Sequence, residues 1–204
     1  MKVGLIIPST SNGRDWKTFD ETYINIAFVG VCSYNYDIFN RLSSDNTIKL
    51  HVIGRNASEF IISNIKIHNV NIYSNLDAIE MIELLKTCDY MLTDAVIGND
   101  HRIGKSMSGN IPLAYSTLTP LIIDKYNNSL YKFKNVVEFD YDSTDKIIIN
   151  KSSISLKLLD IERQKLISML PELLKKNKNI RTCKIPKKIF QTWEHNNIEP
   201  EFQQ

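Results

Sequence analysis

The sequence has few cysteines, no long apolar run and almost no net charge, and each shortage excludes a class of protein. Its three cysteines, Cys32, Cys88 and Cys183, are odd in number, widely separated and without metal-ligand spacing, which predicts free thiols in a reducing compartment. No apolar run reaches the roughly 18 residues of a membrane span, and residues 1–7 pass straight into polar sequence, unlike a signal peptide. A net charge of +2 gives no bulk electrostatic reason to expect nucleic acid or an anionic membrane as a partner. We therefore expect a cytoplasmic protein that binds neither.

Short apolar runs alternate with helix-like segments along most of the 204 residues. The candidate strands are residues 2–7, 25–31, 48–53, 65–68, 90–92, 120–123 and 135–139. The candidate helices between them are residues 36–42, 58–62, 76–86 and 109–117. This alternation is typical of a parallel sheet with crossover helices. The sequence therefore predicts an α/β fold, with a Rossmann-like parallel sheet flanked by helices.

The pattern changes toward the C terminus. Residues 153–176 carry leucines and isoleucines among charges, which predicts one or two amphipathic helices interrupted at Pro171. A polar hinge follows, and residues 185–193 begin a new apolar pattern. We expect three parts: an N-terminal strand and loop (1–23), a Rossmann-like domain with closing helices (24–176), and a linker that leads into another domain (177–204).

The loop at residues 98–109 is the richest candidate for a ligand site, because ligands of doubly wound sheets bind at loops that lead from strand ends into helices. Its candidate binding residues are His101, Arg102, Lys105, Ser106, Ser108 and Gly109. Amides at the helix start, the two hydroxyls and the Lys105 charge could hold a diphosphate. An ATP-binding P-loop is disfavoured, because the required upstream glycine is replaced by Asn99. The structural alternative is a polar surface loop with a capping serine.

Two further strand ends carry candidate residues. Gly54 and Arg55 end an apolar strand, and this pairing suits a close backbone approach to a phosphate or ribose; the alternative is an ordinary strand-ending turn. Asp140 and Asp142 form an Asp-Tyr-Asp sequence that could chelate Mg²⁺ or Mn²⁺ on a nucleotide diphosphate. An Asp-X-Asp spacing is common by chance, so a turn is the favoured interpretation of Asp140 and Asp142.

The order of segments resembles the C-terminal half of GT-B glycosyltransferases. Four segments carry the resemblance. Residues 48–55 match a strand with a glycine, and residues 84–92 match a helix followed by a strand that an aspartate precedes. Residues 109–114 match a helix, and residues 119–124 match a strand that begins with proline. The resemblance covers roughly residues 24–150. Its sequence pattern is most similar to that of glycosyltransferase-like proteins of giant DNA viruses, and a viral protein of this kind would be located in the host cytoplasm. In that family this half binds the nucleotide-sugar donor without an obligatory metal. Retaining members carry a ribose-binding glutamate where residues 111–114 have no carboxylate.

The two ends resemble other transferases. Residues 185–193, with the later Pro200, are similar to the opening strand of glycosyltransferase family 32 (GT32), whose metal-binding aspartates lie far downstream of such a start. Residues 6–16 look like the first strand and loop of some viral GT-A-like transferases. The alternative for both ends is an edge strand and a tail. The resemblance implies part of a larger, multidomain glycosyltransferase.

Three functions remain open from the sequence. The leading hypothesis is a donor-binding domain for a UDP- or GDP-sugar, with no cofactor required, weak turnover by itself and a glycan or protein acceptor that the sequence does not identify. The second is a non-catalytic Rossmann-like interaction module attached to a GT32 domain. The third is a metal-dependent GT-A transferase that uses Asp140 and Asp142.

Overall fold

The computed structural model describes residues 22–30, 34–42, 47–95, 108–149, 157–165 and 168. The chain divides into two compact units, residues 1–165 and 166–204, and all described residues except Ser168 belong to the first. The predicted strand at 2–7 and both predicted end segments lie outside the described residues. The domain limits at 23 and 176 stay predictions.

The described unit is built on a six-stranded parallel sheet. The strands are β1 (Ile24–Val29), β2 (Ile48–Gly54), β3 (Asn69–Ser74), β4 (Tyr90–Leu92), β5 (Leu121–Asp124) and β6 (Val136–Phe139). Their order across the sheet is β3-β2-β1-β4-β5-β6. This is the doubly wound order of Rossmann-like folds, in which the direction of winding reverses between the first and fourth strands. The predicted α/β fold is confirmed.

Helices connect the strands on both faces of the sheet. They are α1 (Tyr36–Arg41), α2 (Ala78–Lys86), α3 (Asn110–Ser116) and α4 (Lys125–Tyr131), and residues 157–165 are also helical. The α2 helix begins at a capping box, in which the Asp77 side chain accepts from the amides of Ile79 and Glu80 while the Glu80 side chain accepts from the amide of Asp77. The α4 helix ends at Lys132, which adopts a left-handed conformation with φ 60°.

Alternate residues of the strands form the main apolar core. Ile26 and Phe28 of β1 point to the same face as Leu50 and Val52 of β2, and all four are fully buried. The α1 helix covers this face, where the Phe39 ring meets Phe28 edge-on at 5.2 Å. Right-handed crossovers place α2, α3 and α4 on the opposite face.

Three local predictions were wrong, for identifiable reasons. The predicted strand 65–68 lies before the observed β3, because residues 69–74 contain two asparagines, which have a low propensity for strands. The predicted helix 58–62 is two single-turn 3-10 helices, Ala57–Glu59 and Ile62–Asn64. The helix α4 was missed, because its polar sequence carries no apolar stripe.

The expectations about membranes and cysteines can be compared with the described residues only. Among them, no helix is long and apolar enough to cross a membrane. Cys88 is buried, and its thiol donates to the carbonyl of Leu84 at 3.4 Å. The other two cysteines lie outside the described part of the chain.

Candidate functional site

The reversal of winding between β1 and β4 defines the place where a doubly wound sheet opens for a ligand. In a doubly wound sheet the chain leaves these two strands toward opposite faces, and ligands bind beyond the carboxyl ends of the strands at this point. Here the described residues beside the two strand ends contact one another. The Asn110 side chain at the start of α3 donates to the carbonyl of Val29 at 2.6 Å, and the backbone amide of Asn35 donates to the carbonyl of Ala95 at 3.0 Å. The starts of α1 and α3 therefore both lie at this reversal.

A chain of buried and half-buried hydrogen bonds holds the neighbouring strand ends. The Asp94 carboxylate, directly after β4, accepts from the Thr93 hydroxyl at 3.1 Å and from the Asp124 amide at 3.3 Å. The Asp124 carboxylate accepts from the amide of Tyr141 at 2.9 Å, and the Tyr141 hydroxyl accepts from the Asn35 side chain at 2.9 Å. The contacts of Asp94, Asp124, Tyr141 and Asn35 therefore link the ends of β4, β5 and β6 to the start of α1.

Asp94 is the most constrained member of this group. It is buried and has φ 63°, a left-handed conformation that aspartate tolerates better than most residues. Burial, and then the charge of Asp94, raises the pKa of the Tyr131 phenol above its ordinary value. Non-glycine residues in this conformation are often found at ligand sites, where the surrounding structure holds them in place.

Gly54 meets the end of β1 and has a packing reason to be glycine. A Cβ atom at this position would overlap the backbone carbonyl oxygen of Gly30. The amide of Gly30 in turn donates to the carbonyl of Ile53 at 3.1 Å, which continues the ladder between β1 and β2. Gly54 therefore makes a close backbone approach to the protein's own chain, and the approach to a phosphate or ribose predicted for it stays a prediction. The adjacent Arg55 is exposed at the same edge of the sheet.

Ser108 and Gly109 stand at the start of α3 with different surroundings. The Ser108 hydroxyl accepts from the amide of Asn110 at 3.3 Å, and its carbonyl accepts from Ile111 at 3.2 Å. Pro112 has no amide hydrogen, and Leu113 donates to the carbonyl of Gly109 at 3.4 Å. The first-turn amides from position 110 onward are therefore already used within the chain. A Cβ added at Gly109 would meet no heavy atom of the described residues within 4 Å.

The Asp140 and Asp142 pair forms a turn. The Asp140 carboxylate accepts from the amide of Asp142 at 3.0 Å, and its carbonyl accepts from the amide of Ser143 at 3.3 Å. The Arg41 guanidinium donates to the carbonyl of Asp140 at 2.8 Å and fixes this turn against α1. Within the described residues, no group of three or more histidine, cysteine or acidic side chains is arranged to hold a metal ion.

No known protein-family model and no curated protein sequence matches this chain.

Four predicted donor-binding residues, His101, Arg102, Lys105 and Ser106, lie outside the described residues. Of the other four, Gly54 and Gly109 flank the end of β1, since Gly54 contacts Gly30 and the residue after Gly109 contacts Val29.

Sequence reasoning missed the hydrogen-bonded polar group at the strand ends, Asn35, Asp94, Asp124 and Tyr141. Each of the two buried aspartates stands at the end of an apolar run: Asp94 lies two residues after β4, and Asp124 is the last residue of β5. That position is a recognisable signal in a parallel sheet, because strand carboxyl ends line the ligand crevice.

Proposed function

We propose that this chain binds a nucleotide-diphosphate sugar at the reversal between β1 and β4, as the donor-binding domain of a glycosyltransferase-related protein. The observation that carries the proposal is the strand order β3-β2-β1-β4-β5-β6, which puts the start of α3 at the end of β1. The polar, glycine-containing sequence 98–109 leads into that helix start. In this fold the crevice at the reversal is the usual place for a nucleotide.

The surroundings of Gly109 support a ligand at this position. It has helical dihedral angles, φ −60° and ψ −21°, and none of the described residues fills the space on its side-chain side. A glycine that neither its conformation nor its packing requires is well suited to a close approach by a ligand.

The diphosphate is held mainly by side chains in this proposal, because the amides of α3 from position 110 onward have partners inside the chain. Lys105 supplies the principal positive charge, with Arg102, His101 and the Ser106 hydroxyl as further contacts. Arg55 contributes from the β2 side of the crevice. The proposal requires no metal ion.

Turnover by the chain alone is expected to be weak. In GT-B enzymes the acceptor binds a second domain across a shared cleft, so transfer to a glycan or protein requires that second half from the same or another chain. Hydrolysis of the donor is the activity expected of the described unit without it.

Isothermal titration calorimetry with UDP, GDP and their glucose and mannose derivatives tests the proposal. We expect saturable heat with one nucleotide class, a loss of at least about tenfold in affinity for Lys105→Ala, and a similar loss for Gly109→Val. Lys134→Ala, at an exposed lysine before β6, is the matched control and should bind as the wild type does. Absent heat with every nucleotide, or equal heat in wild type and Lys105→Ala, would contradict the proposal.

The second candidate function is a non-catalytic interaction module attached to a GT32-like domain. It is favoured by the satisfied amides of α3 and by the occupation of the space beside Gly54 by the Gly30 carbonyl, both of which use the protein's own atoms where a ligand would be expected. Absence of nucleotide binding in the titration above, with the fold intact, would favour this candidate. The GT-A alternative would instead require Mn²⁺-dependent donor hydrolysis that Asp142→Ala abolishes.

A further inference from the structure

One face of the β1–β2–β3 half of the sheet is unusually polar. Strand register places Asn25, Lys49 and Asn69 side by side in one row, and His51 and Asn71 in the next. Parallel strands of doubly wound sheets are usually apolar on both faces, because helices cover both. Here β3 is only half-buried along most of its length.

The deeper part of this face is a hydrogen-bonded polar layer. Buried His51 lies 3.0 Å from the Asn25 side-chain oxygen and 3.2 Å from the Tyr73 hydroxyl, and its ring stacks on that of Tyr73. The Asn71 side-chain amide donates to the same Tyr73 hydroxyl at 3.2 Å. Burial, and then the charge of Lys49, lowers the pKa of His51 to about 4, so its ring is neutral near pH 7. The layer holds the Asn71 amide in a fixed orientation.

A cleft of about 320 Å³ lies beside this layer, at the amino ends of β2 and β3. It is lined by Tyr23, Lys49, His68, Asn69, Val70 and Asn71. Lys49 provides its positive charge, and the ammonium lies 5.8 Å from the centre of the Tyr23 ring. None of these six lining residues is acidic. Asp89, directly before β4, is buried and accepts from the backbone amide of Asn25.

We infer that this cleft binds a small molecule through a carboxylate or phosphate group, with the Lys49 ammonium and the Asn69 and Asn71 amides as the contacts. A cation beside an amide donor that is held in place, as Asn71 is, and without a competing carboxylate among the lining residues, favours an anionic oxygen ligand. The volume is at the lower end of the range of ligand pockets and suits a small organic acid or phosphate ester.

This site is separate from the proposed nucleotide site. Lys49 and Gly54 are five residues apart on one strand, which separates the two sites by roughly 16 Å along the sheet. The inference therefore does not rest on donor binding, and either can fail without the other.

Two-dimensional ¹H–¹⁵N NMR of the whole chain, titrated with inorganic phosphate and separately with acetate, tests the inference. We expect saturable shifts of the side-chain amide signals of Asn69 and Asn71 with at least one of the two anions, and the stronger response distinguishes phosphate from carboxylate ligands. Lys49→Gln should raise the apparent Kd by about tenfold or more, since it removes the charged donor. Lys134→Gln, at the opposite edge of the sheet, should leave the Kd unchanged.

Asn71→Asp provides a second variant, because it places a negative charge in the cleft with almost no change in size. It should abolish the response of Asn69, and circular dichroism checks that it folds. Shifts that do not saturate, shifts equal in Lys49→Gln and Lys134→Gln, or no shift at Asn69 and Asn71 with either anion would overturn the inference.

Discussion

Replacement of Gly54 by alanine should destabilise the protein by about 2–4 kcal/mol. The added Cβ would overlap the carbonyl oxygen of Gly30, and that atom belongs to the backbone and cannot rotate away. To reach an ordinary carbon–oxygen separation of about 3.3 Å, the ends of β1 and β2 must move apart by roughly 1 Å. That movement strains or breaks the hydrogen bond from Gly30 to Ile53, worth about 1 kcal/mol, and overpacking adds about 1–3 kcal/mol.

Gly109→Ala is the matched control for this prediction, because it makes the same chemical change at the other glycine beside the end of β1. Its Cβ would meet no heavy atom within 4 Å in the part of the chain that the structure describes, and its dihedral angles suit alanine. We expect a change of only about 0–1 kcal/mol, neutral or stabilising. The two variants therefore separate a steric effect of Gly54 from a general effect of glycine replacement.

Urea unfolding followed by far-UV circular dichroism measures both variants. With an m-value of about 1–3 kcal/mol/M, Gly54→Ala should lower the midpoint by about 1 M or more, and Gly109→Ala should leave it nearly unchanged. An unfolding free energy for Gly54→Ala within about 0.5 kcal/mol of wild type would refute the steric argument and leave ligand binding as the reason for that glycine.

The remaining predictions concern three other side chains. The unfolding free energy should fall by up to about 2 kcal/mol as the pH drops from 6.5 to 4. The reason is that the unfolded chain protonates His51 near its ordinary pKa, whereas burial and then the charge of Lys49 hold the folded pKa to about 4. His51→Gln should remove this pH dependence, and His68→Gln, at an exposed histidine, should not. Asp77→Ala should lower the unfolding free energy in urea by about 1 kcal/mol because it removes the α2 cap, whereas Asp77→Ser should keep most of that stability. Equal losses of unfolding free energy in the two variants would contradict the capping role. Tyr115→Phe should cost about 1 kcal/mol by deleting the 3.0 Å hydrogen bond to the Glu162 carboxylate, and an unchanged urea midpoint would show that this contact contributes nothing.

Strands with several apolar residues could be recognised from the sequence, whereas β3 was placed too early in the chain. The β5 strand opens with an apolar run, β2 alternates apolar residues with Lys49 and His51, and both were predicted to within a residue or two. The β3 strand has asparagines at Asn69 and Asn71, and its polar face is explained only by its place at the sheet edge. An edge position is a property of strand order, which no local pattern encodes.

The candidate site shows the same division. The sequence by itself determined that glycines and polar residues follow the strands and that the sheet is parallel, because turn chemistry and hydrophobic spacing act over a few residues. Only the tertiary structure decided that Gly54 meets Gly30, that the Ser108 hydroxyl accepts from the amide of Asn110, and that Asp94, Asp124 and Tyr141 join in one hydrogen-bonded group. Strand pairing and local turns of the backbone bring these residues together. A hydrogen bond forms only where the distance and angle between donor and acceptor are right, and residue type alone does not specify that geometry.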